Sequence, residues 1–387
     1  MEDLIPKYIE ALCREIEYLS AMKQEVISIH TIYFGGGTPS LLTVDQVEKI
    51  LNTIEKSFAL AQNPEITLEA NPGTLSFSQL KGLINLGINR LSLGMQSANP
   101  EDLRLLGRIH TFGELAQSVE WARLAGFENL NLDLIYGFPE QLMKSWKTSL
   151  NFALNLKPEH LSLYGLTIES GTLLDNQITA GLIPLPDDDQ AAEMYEWAAE
   201  KLEQSGYAQY EISNWARKVA KPLSCLHNLQ YWRNLPYLGI GAGAHGYSGF
   251  IRTENENSPI DYIQRIGDGY GLRSDLAMYP NHQQSNLADC GVETRFTVTP
   301  ATRKIRIIDR EEEMGETMMM GLRLIEEGVP DSTFFRRFGS HLQEVYRQQI
   351  EKLIRLELLE WGSESQEVLR LSKKGRLLGN RVFMEFI

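Results

Sequence analysis

The 387-residue sequence predicts an α/β fold, a parallel (β/α) barrel or sheet followed by a smaller α+β unit of winged-helix-like shape. Three observations predict it. Over the first 165 residues, apolar residues alternate between helical spacing and short continuous runs, the pattern of successive βα units. Polar residues fall where the predicted strands stop, the end at which parallel α/β sheets hold ligands. From Arg310 onward the pattern turns helical and closes in two short strands.

The elements follow in order. Ile9, Leu12, Ile16 and Leu19 recur at helical spacing, and Ile27 to Phe34 is a short apolar strand. Three glycines, Gly35 to Gly37, and a Thr38-Pro39-Ser40 turn end that strand. Such a run removes every Cβ and permits positive φ, so its backbone can approach a bound group closely. Thr43 with Gln46 gives a capping box before Val47, Ile50, Leu51, Ile54 and Phe58. Ile66 to Ala70 is the next strand. Ser76 and Gln79 open a helix that stops at Gly87. Ile88 to Met95 is a strand, Leu115 to Leu124 lies in a helix, and Leu130 to Ile135 is a strand. Trp146 to Leu156 is helical, and Leu161 to Tyr164 is the fifth strand. A βα series that opens on a helix lacks the strand that would complete its first crossover unit.

Pro184-Leu185-Pro186 reads as a linker into a helix carrying Ala191, Met194, Tyr195, Ala198 and Leu202, up to Gly206. Tyr207 to Trp215 is strand-like and leads to a motif-rich loop from Cys225 to His245, and residues 267 to 300 read as an irregular insertion. The tail gives helices over 314–325, 334–338 and 342–356, strands over 358–361 and 368–371, and a last helix from Lys373. Three domains follow: 1–183, 184–309 and 310–387.

Composition narrows the function. A hydrophobic content of 43% supports a sizeable core. No apolar run reaches the roughly 18 to 20 residues needed to span a bilayer, and the opening Met1-Glu2-Asp3-Leu4 lacks the regions of a signal peptide, so the expected location is cytoplasmic. The net charge of −14 opposes binding to nucleic acid or an anionic membrane. The winged-helix-like tail holds twelve Lys and Arg against fourteen Asp and Glu, which points to docking or a lid rather than to DNA. The three cysteines, Cys13, Cys225 and Cys290, show no C-x-x-C spacing and read as free thiols.

The strand-end residues form a constellation. Gly36, Gly37 and Thr38 follow one strand, Glu69 ends the next, Gln96 follows Met95, and Asp133 sits in the strand Leu130 to Ile135. A carboxylate such as Glu69 or Asp133 can bind an amine or ribose hydroxyls, Gln96 can bridge polar groups, and Arg108 can neutralise a carboxylate. The glycine run lacks the Lys-Ser/Thr of a Walker loop and the spacing of a dinucleotide fold.

Five motifs now carry a resemblance covering nearly the whole chain: Gly35-Gly36-Gly37-Thr38-Pro39-Ser40, Glu69-Ala70-Asn71-Pro72, Gly94-Met95-Gln96-Ser97, Leu106-Gly107-Arg108-Ile109-His110-Thr111 and Asp133-Leu134-Ile135-Tyr136-Gly137-Phe138-Pro139. In this order they resemble the radical S-adenosylmethionine proteins of the oxygen-independent coproporphyrinogen III oxidase type. Cys225-Leu226-His227-Asn228-Leu229-Gln230-Tyr231-Trp232, Gly239 to Gly246 and the close at Gly375 to Phe383 are similar to the HemW haem-chaperone branch of that group. The resemblance implies a partial barrel of six parallel strands, of which the first is missing here. It implies that Gly36, Gly37 and Thr38 contact the methionyl end of S-adenosylmethionine, and that Glu69, Gln96, Arg108 and Asp133 hold the rest.

In this family the first strand leads to a Cys-x-x-x-Cys-x-x-Cys loop that holds a [4Fe-4S] cluster. This sequence has no such loop, so no metal residue is assigned, and a truncated chain is expected in preference to a natural cluster-free homologue. His227, flanked by Tyr231 and Trp232, is the expected haem-binding residue, with His245 as a second candidate. The expected function is binding of S-adenosylmethionine and haem, with delivery of haem to a haem-accepting protein. One alternative is oxidative decarboxylation of coproporphyrinogen III. Another is a cluster-free α/β-barrel enzyme acting on a phosphorylated small molecule, with Glu69, Asp133 and His110 as acid or base.

Overall fold

The computed structural model describes residues 4–22, 26–267, 298–362 and 367–387. The insertion expected over 267–300, with Cys290, lies outside the described residues except at its ends. Two compact units are present: Tyr33–Leu41 with Glu65–Cys225, and Met1–Ile32 with Leu42–Pro64 and Leu226–Ile387.

Strands β1 (Ser28–Phe34), β2 (Ala59–Ala70), β3 (Arg90–Gln96), β4 (Leu130–Tyr136), β5 (His160–Gly165), β6 (Tyr207–Glu211) and β7 (Asn214–Arg217) form one sheet in the order β1-β2-β3-β4-β5-β7-β6. From β2 to β5 neighbouring strands are parallel, while β7 runs antiparallel to β5 and to β6. The sheet is therefore mixed at one edge, and the segment 207–215, expected as one strand, is a hairpin. Glu211 causes the break: its Oε1 accepts from the Ser213 N–H at 3.0 Å and closes a tight turn.

Strand residues alternate between two faces. Leu91, Leu93 and Met95 of β3, Leu130, Leu132 and Leu134 of β4, and Leu161 and Leu163 of β5 are fully buried. They belong to the same apolar interior as Leu80 and Leu83 of helix Phe77–Asn85, Leu115, Val119 and Ala122 of helix Phe112–Ala125, and Leu150 and Ala153 of helix Met143–Asn155. Each fully buried leucine contributes about 1.5–3 kcal/mol to this layer. Arg90, Ser92, Gly94 and Gln96, with Asn131, Asp133 and Ile135 and with His160, Ser162 and Tyr164, occupy the alternate positions. The sheet thus has one apolar face and one largely polar face.

In the other unit, helix Ile5–Met22 buries Ile9, Ile16 and Leu19, and helix Val44–Ser57 begins with the expected capping box of Thr43 and Gln46. Strands β8 (His245–Ser248), β9 (Ile251–Asn255) and β10 (Thr302–Ile307) form an antiparallel sheet ordered β10-β9-β8. The tail carries helices Arg310–Gly321, Asp331–Phe338, Leu342–Val345 and Arg347–Arg355. Its ribbon has three strands rather than the two expected: β11 (Val329–Pro330), β12 (Leu359–Trp361) and β13 (Val368–Leu371), in the order β11-β13-β12. A two-residue strand is too short to leave a periodic signal in sequence.

Candidate functional site

The glycine turn at the end of β1 does three separate things. A Cβ on Gly35 would lie 2.5 Å from Tyr33 Cε1 and 3.0 Å from Glu69 Cδ, so only glycine lets those side chains pack beneath the turn. Gly36 has φ +80°, and neither its Cβ position nor that of Gly37 has an atom within 4 Å. That open space is a cradle a side chain would fill. Beyond it, the Thr38 carbonyl accepts from the Leu41 N–H at 3.1 Å and starts the 3-10 turn Pro39–Leu41.

Glu69 accepts a 2.6 Å hydrogen bond from the Tyr33 hydroxyl, and the Gly36 N–H also donates to it. Burial, reinforced by the charge of Asp133, raises its pKa above the usual carboxylate range despite these two bonds. The registers of three parallel pairs then align Glu69, Ser92, Asn131 and His160 in one row across β2 to β5. Asp133, two residues beyond Asn131, is held from that row. Its Oδ2 accepts from Ser92 Oγ at 2.8 Å and its Oδ1 from Asn131 Nδ2 at 2.8 Å.

Gln96, at φ +60°, ends β3 in the left-handed region. A Cβ on Gly94 would come within 2.9 Å of Gln96 Nε2, so the glycine two residues earlier makes room for the folded-back amide. Arg108 follows Gly107 (φ +65°), and its N–H donates to the Leu103 carbonyl at 2.8 Å. His110 is buried and donates from Nε2 to the Met95 carbonyl at 3.2 Å, tying this turn to β3.

These side chains open onto one cavity of about 550 Å³, whose walls include Gly37, Thr38, Glu69, Gln96, Arg108 and Asp133. Gly36 lies one residue outside the wall and acts through its amide on Glu69. His110 is not in the wall, so it offers no acid or base there. The charged lining residues are two carboxylates and one guanidinium, a combination suited to a ligand carrying cationic groups, one carboxylate and hydroxyls.

Comparison with known proteins gives the family and supports the fold. The model of the radical SAM superfamily matches residues 6–153 and that of the HemN C-terminal domain matches residues 308–378. Heme chaperone HemW of Bacillus subtilis is 36% identical over 381 residues, covering 96% of this chain and 91% of that protein. Heme chaperone HemW of Lactococcus lactis is 34% identical, covering 99% and 90%. The chain belongs to the HemW family of radical S-adenosylmethionine proteins. Among solved structures, the radical SAM enzyme coproporphyrinogen III oxidase of Escherichia coli superposes with a TM-score of 0.77. At 21% identity it covers 99% of this chain and 83% of that one, and it supports the partial-barrel fold.

The sequence reading of this HemW-family chain missed part of the wall. Tyr33, Asn71 and Ser92 line the cavity, as do Tyr164 to Thr167 at the end of β5. A signal was present: Arg90-x-Ser92-x-Gly94-x-Gln96 is strictly alternating, and a buried strand with every second residue polar or small has a polar face to fill.

His227 belongs to the other unit, on helix Leu226–Trp232. Its Nδ1 lies 3.0 Å from Thr31 Oγ1 and its Nε2 lies 3.0 Å from Tyr231 Oη, so both ring nitrogens are engaged. Arg323 stacks on Trp232 at 4.5 Å, and Tyr231 meets Tyr237 edge to face. His245 is exposed at the start of β8.

Radical SAM proteins carry a [4Fe-4S] cluster, but the described residues of this chain do not fit one. Cys13 and Cys225 are separately buried, and among the described residues no three His, Cys, Asp or Glu side chains group as a metal site. Among the described residues, no helix is long and apolar enough to cross a membrane.

Proposed function

We propose that this chain binds S-adenosylmethionine in the strand-end cavity and carries haem for delivery to a haem-accepting protein. The observation that carries the first part is the convergence of Gly37, Thr38, Glu69, Gln96, Arg108 and Asp133 on one cavity. Two carboxylates against one guanidinium complement a ligand with an ammonium, a sulfonium and a carboxylate. Gly36, Gly37 and Thr38 would meet the methionyl end, Glu69 a cationic group, Arg108 the carboxylate, and Asp133 with Gln96 the ribose hydroxyls. The open positions above Gly36 and Gly37 fit such a ligand.

The second part rests on relatives named heme chaperone HemW. His227 is the proposed haem-binding residue, with exposed His245 as the alternative. Ligation through Nε2 of His227 requires its Tyr231 partner to move away, so haem uptake would be accompanied by a change around Tyr231. Cys13 and Cys225 form no disulfide, which suits a reducing cytoplasm, the proposed location. On this reading the chain divides into 1–183, 184–309 and 310–387. Coproporphyrinogen III oxidation draws on a likeness of fold alone and is not preferred.

The test combines two titrations with one transfer assay. S-adenosylmethionine should bind by equilibrium dialysis, and haem should give a Soret band that passes to an added apo-haem protein. Absence of transfer would remove the chaperone reading, and a Soret spectrum and affinity unchanged in His227→Ala would remove His227.

A further inference from the structure

Beneath the cavity a chain of hydrogen bonds runs from Asp133 through Asn131, His160 and Tyr210, three residues that neither the motifs nor the cavity wall account for. The Cys225 N–H donates to Tyr210 Oη at 3.3 Å. Tyr210 Oη lies 2.8 Å from His160 Nε2, and His160 Nδ1 lies 2.6 Å from Asn131 Oδ1. Asn131 Nδ2 donates to Asp133 Oδ1 at 2.8 Å and to Ser92 Oγ at 2.7 Å, and Ser92 Oγ in turn donates to Asp133 Oδ2.

Chemistry fixes the direction of every proton. A carboxylate accepts only, so the amide group of Asn131 must present Nδ2 to Asp133 and Oδ1 to His160. His160 must then carry its proton on Nδ1 and accept at Nε2, which leaves the Tyr210 hydroxyl as donor to His160. The phenol oxygen is free to accept from the Cys225 amide, as it does. Ser162 Oγ adds a second donor to Asn131 Oδ1 at 3.1 Å. His160 is fully buried, and burial with the nearby charge of Arg90 holds it neutral.

We propose that Asn131, His160 and Tyr210 are positioning residues that aim Asp133 at the ribose hydroxyls of a bound nucleoside, and so set the preference of the cavity for ribose over deoxyribose. This inference rests on the reading that the cavity takes an adenosyl ligand. With one lone pair on each Asp133 oxygen already taken from the sheet side, the remaining ones are left for vicinal hydroxyls. Without the Asn131 donor the carboxylate can rotate about its Cβ–Cγ bond, and that matching is lost. Arg90, Glu65 and Cys225 pack around the far end of the chain, where the Cys225 thiol lies 3.5 Å from Glu65 Oε1.

The test measures the binding of S-adenosylhomocysteine and of its 2′-deoxy counterpart to the full chain by titration calorimetry. Asn131→Ala should weaken the ribose ligand by about tenfold, the scale of a lost hydrogen bond to a charged group, while the deoxy ligand changes little. Tyr210→Phe, which deletes one oxygen and is tolerated sterically, should lower the ribose preference in the same direction by a smaller factor. Imidazole nitrogen shifts should show His160 as the neutral Nδ1–H tautomer in the wild type and disturbed in Tyr210→Phe. Equal losses for both ligands, or an unchanged ribose preference in Tyr210→Phe, would overturn the proposal. Wild-type protein that binds both ligands equally would overturn it while leaving the adenosyl reading intact, whereas binding of neither would overturn both.

Discussion

The Tyr33 hydroxyl donates a 2.6 Å hydrogen bond to Glu69 Oε1, joining the end of β1 to the end of β2 in the wall of the cavity. The bond opposes the effect of burial, which raises the pKa of Glu69. A carboxyl whose folded pKa exceeds its unfolded value contributes stability that is fully present below the unfolded value and lost as pH rises through the folded one. Binding of a cationic ligand beside Glu69 needs the ionised form and therefore runs the other way. Affinity for S-adenosylmethionine should rise with pH through the Glu69 titration. Tyr33→Phe removes a bond that favours ionisation, so its affinity curve should shift to higher pH, with binding several-fold weaker within the Glu69 titration, above the ordinary carboxylate range. Calorimetry across the pH range checks this, and coincident curves would count against it.

The three glycines should respond differently to the same substitution. Gly35→Ala drives a methyl into Tyr33 and Glu69, so it should weaken binding and lower the melting temperature together. Gly36→Ala forces a side chain to φ +80°, a cost of about 1–2 kcal/mol. Gly37→Ala meets no atom within 4 Å, so the protein should melt as the wild type does while the methyl reduces ligand affinity. Thermal melts paired with binding titrations distinguish the three, and a Gly37→Ala protein that melts early would contradict the assignment.

Much of this site was legible in the sequence because its parts obey local rules. The capping boxes of Thr43 with Gln46 and of Ser76 with Gln79 were readable from four-residue spacing, and both are present. Gly37, Thr38, Glu69, Gln96, Arg108 and Asp133 share a cavity because parallel strands deliver their ends to one edge. What was not legible depends on register. That Asn131 sits opposite His160 on one side and Ser92 on the other follows from pairing between strands far apart in sequence. The hairpin at Ile212 and Ser213 was hidden because Glu211 closes it with a side chain, without a glycine or proline to mark the turn.

Arg108 lies two residues before His110 in the same turn. The His110 Nε2–H bond to the Met95 carbonyl anchors the turn, and burial lowers the imidazole pKa below its ordinary value. The folded state then resists a proton that the unfolded chain accepts, so this contribution is present above the unfolded value and lost as pH falls through the folded one. His110→Leu should therefore remove part of the acid-side loss of stability and also weaken ligand binding several-fold by loosening Arg108. Melting temperature against pH for both proteins is the measurement. An identical acid limb would show that His110 does not contribute to it.

Glu15 gives the last prediction, in the other unit. Fully buried on helix Ile5–Met22, it accepts from the Gly241 N–H at 2.8 Å and Tyr262 Oη at 2.7 Å on Oε2, and from Asn255 Nδ2 and Thr299 Oγ1, each at 2.8 Å, on Oε1. Four donors converge on two oxygens, so Glu15→Gln must turn an NH₂ group toward two of them. The hydroxyls can rotate away, but the Gly241 amide cannot, and flipping Asn255 would break its 3.0 Å bond to the Gly241 carbonyl. The expected cost is about 1–3 kcal/mol, and Glu15→Ala should cost more because it leaves all four donors and a cavity. Burial raises the pKa of Glu15, so its contribution is greatest below the ordinary carboxylate range and falls as pH rises toward the folded value, whereas glutamine does not titrate. The stability gap between wild type and Glu15→Gln should therefore narrow as pH rises above the ordinary carboxylate range in urea denaturation, and a gap that widens with pH would mean that the four hydrogen bonds outweigh burial.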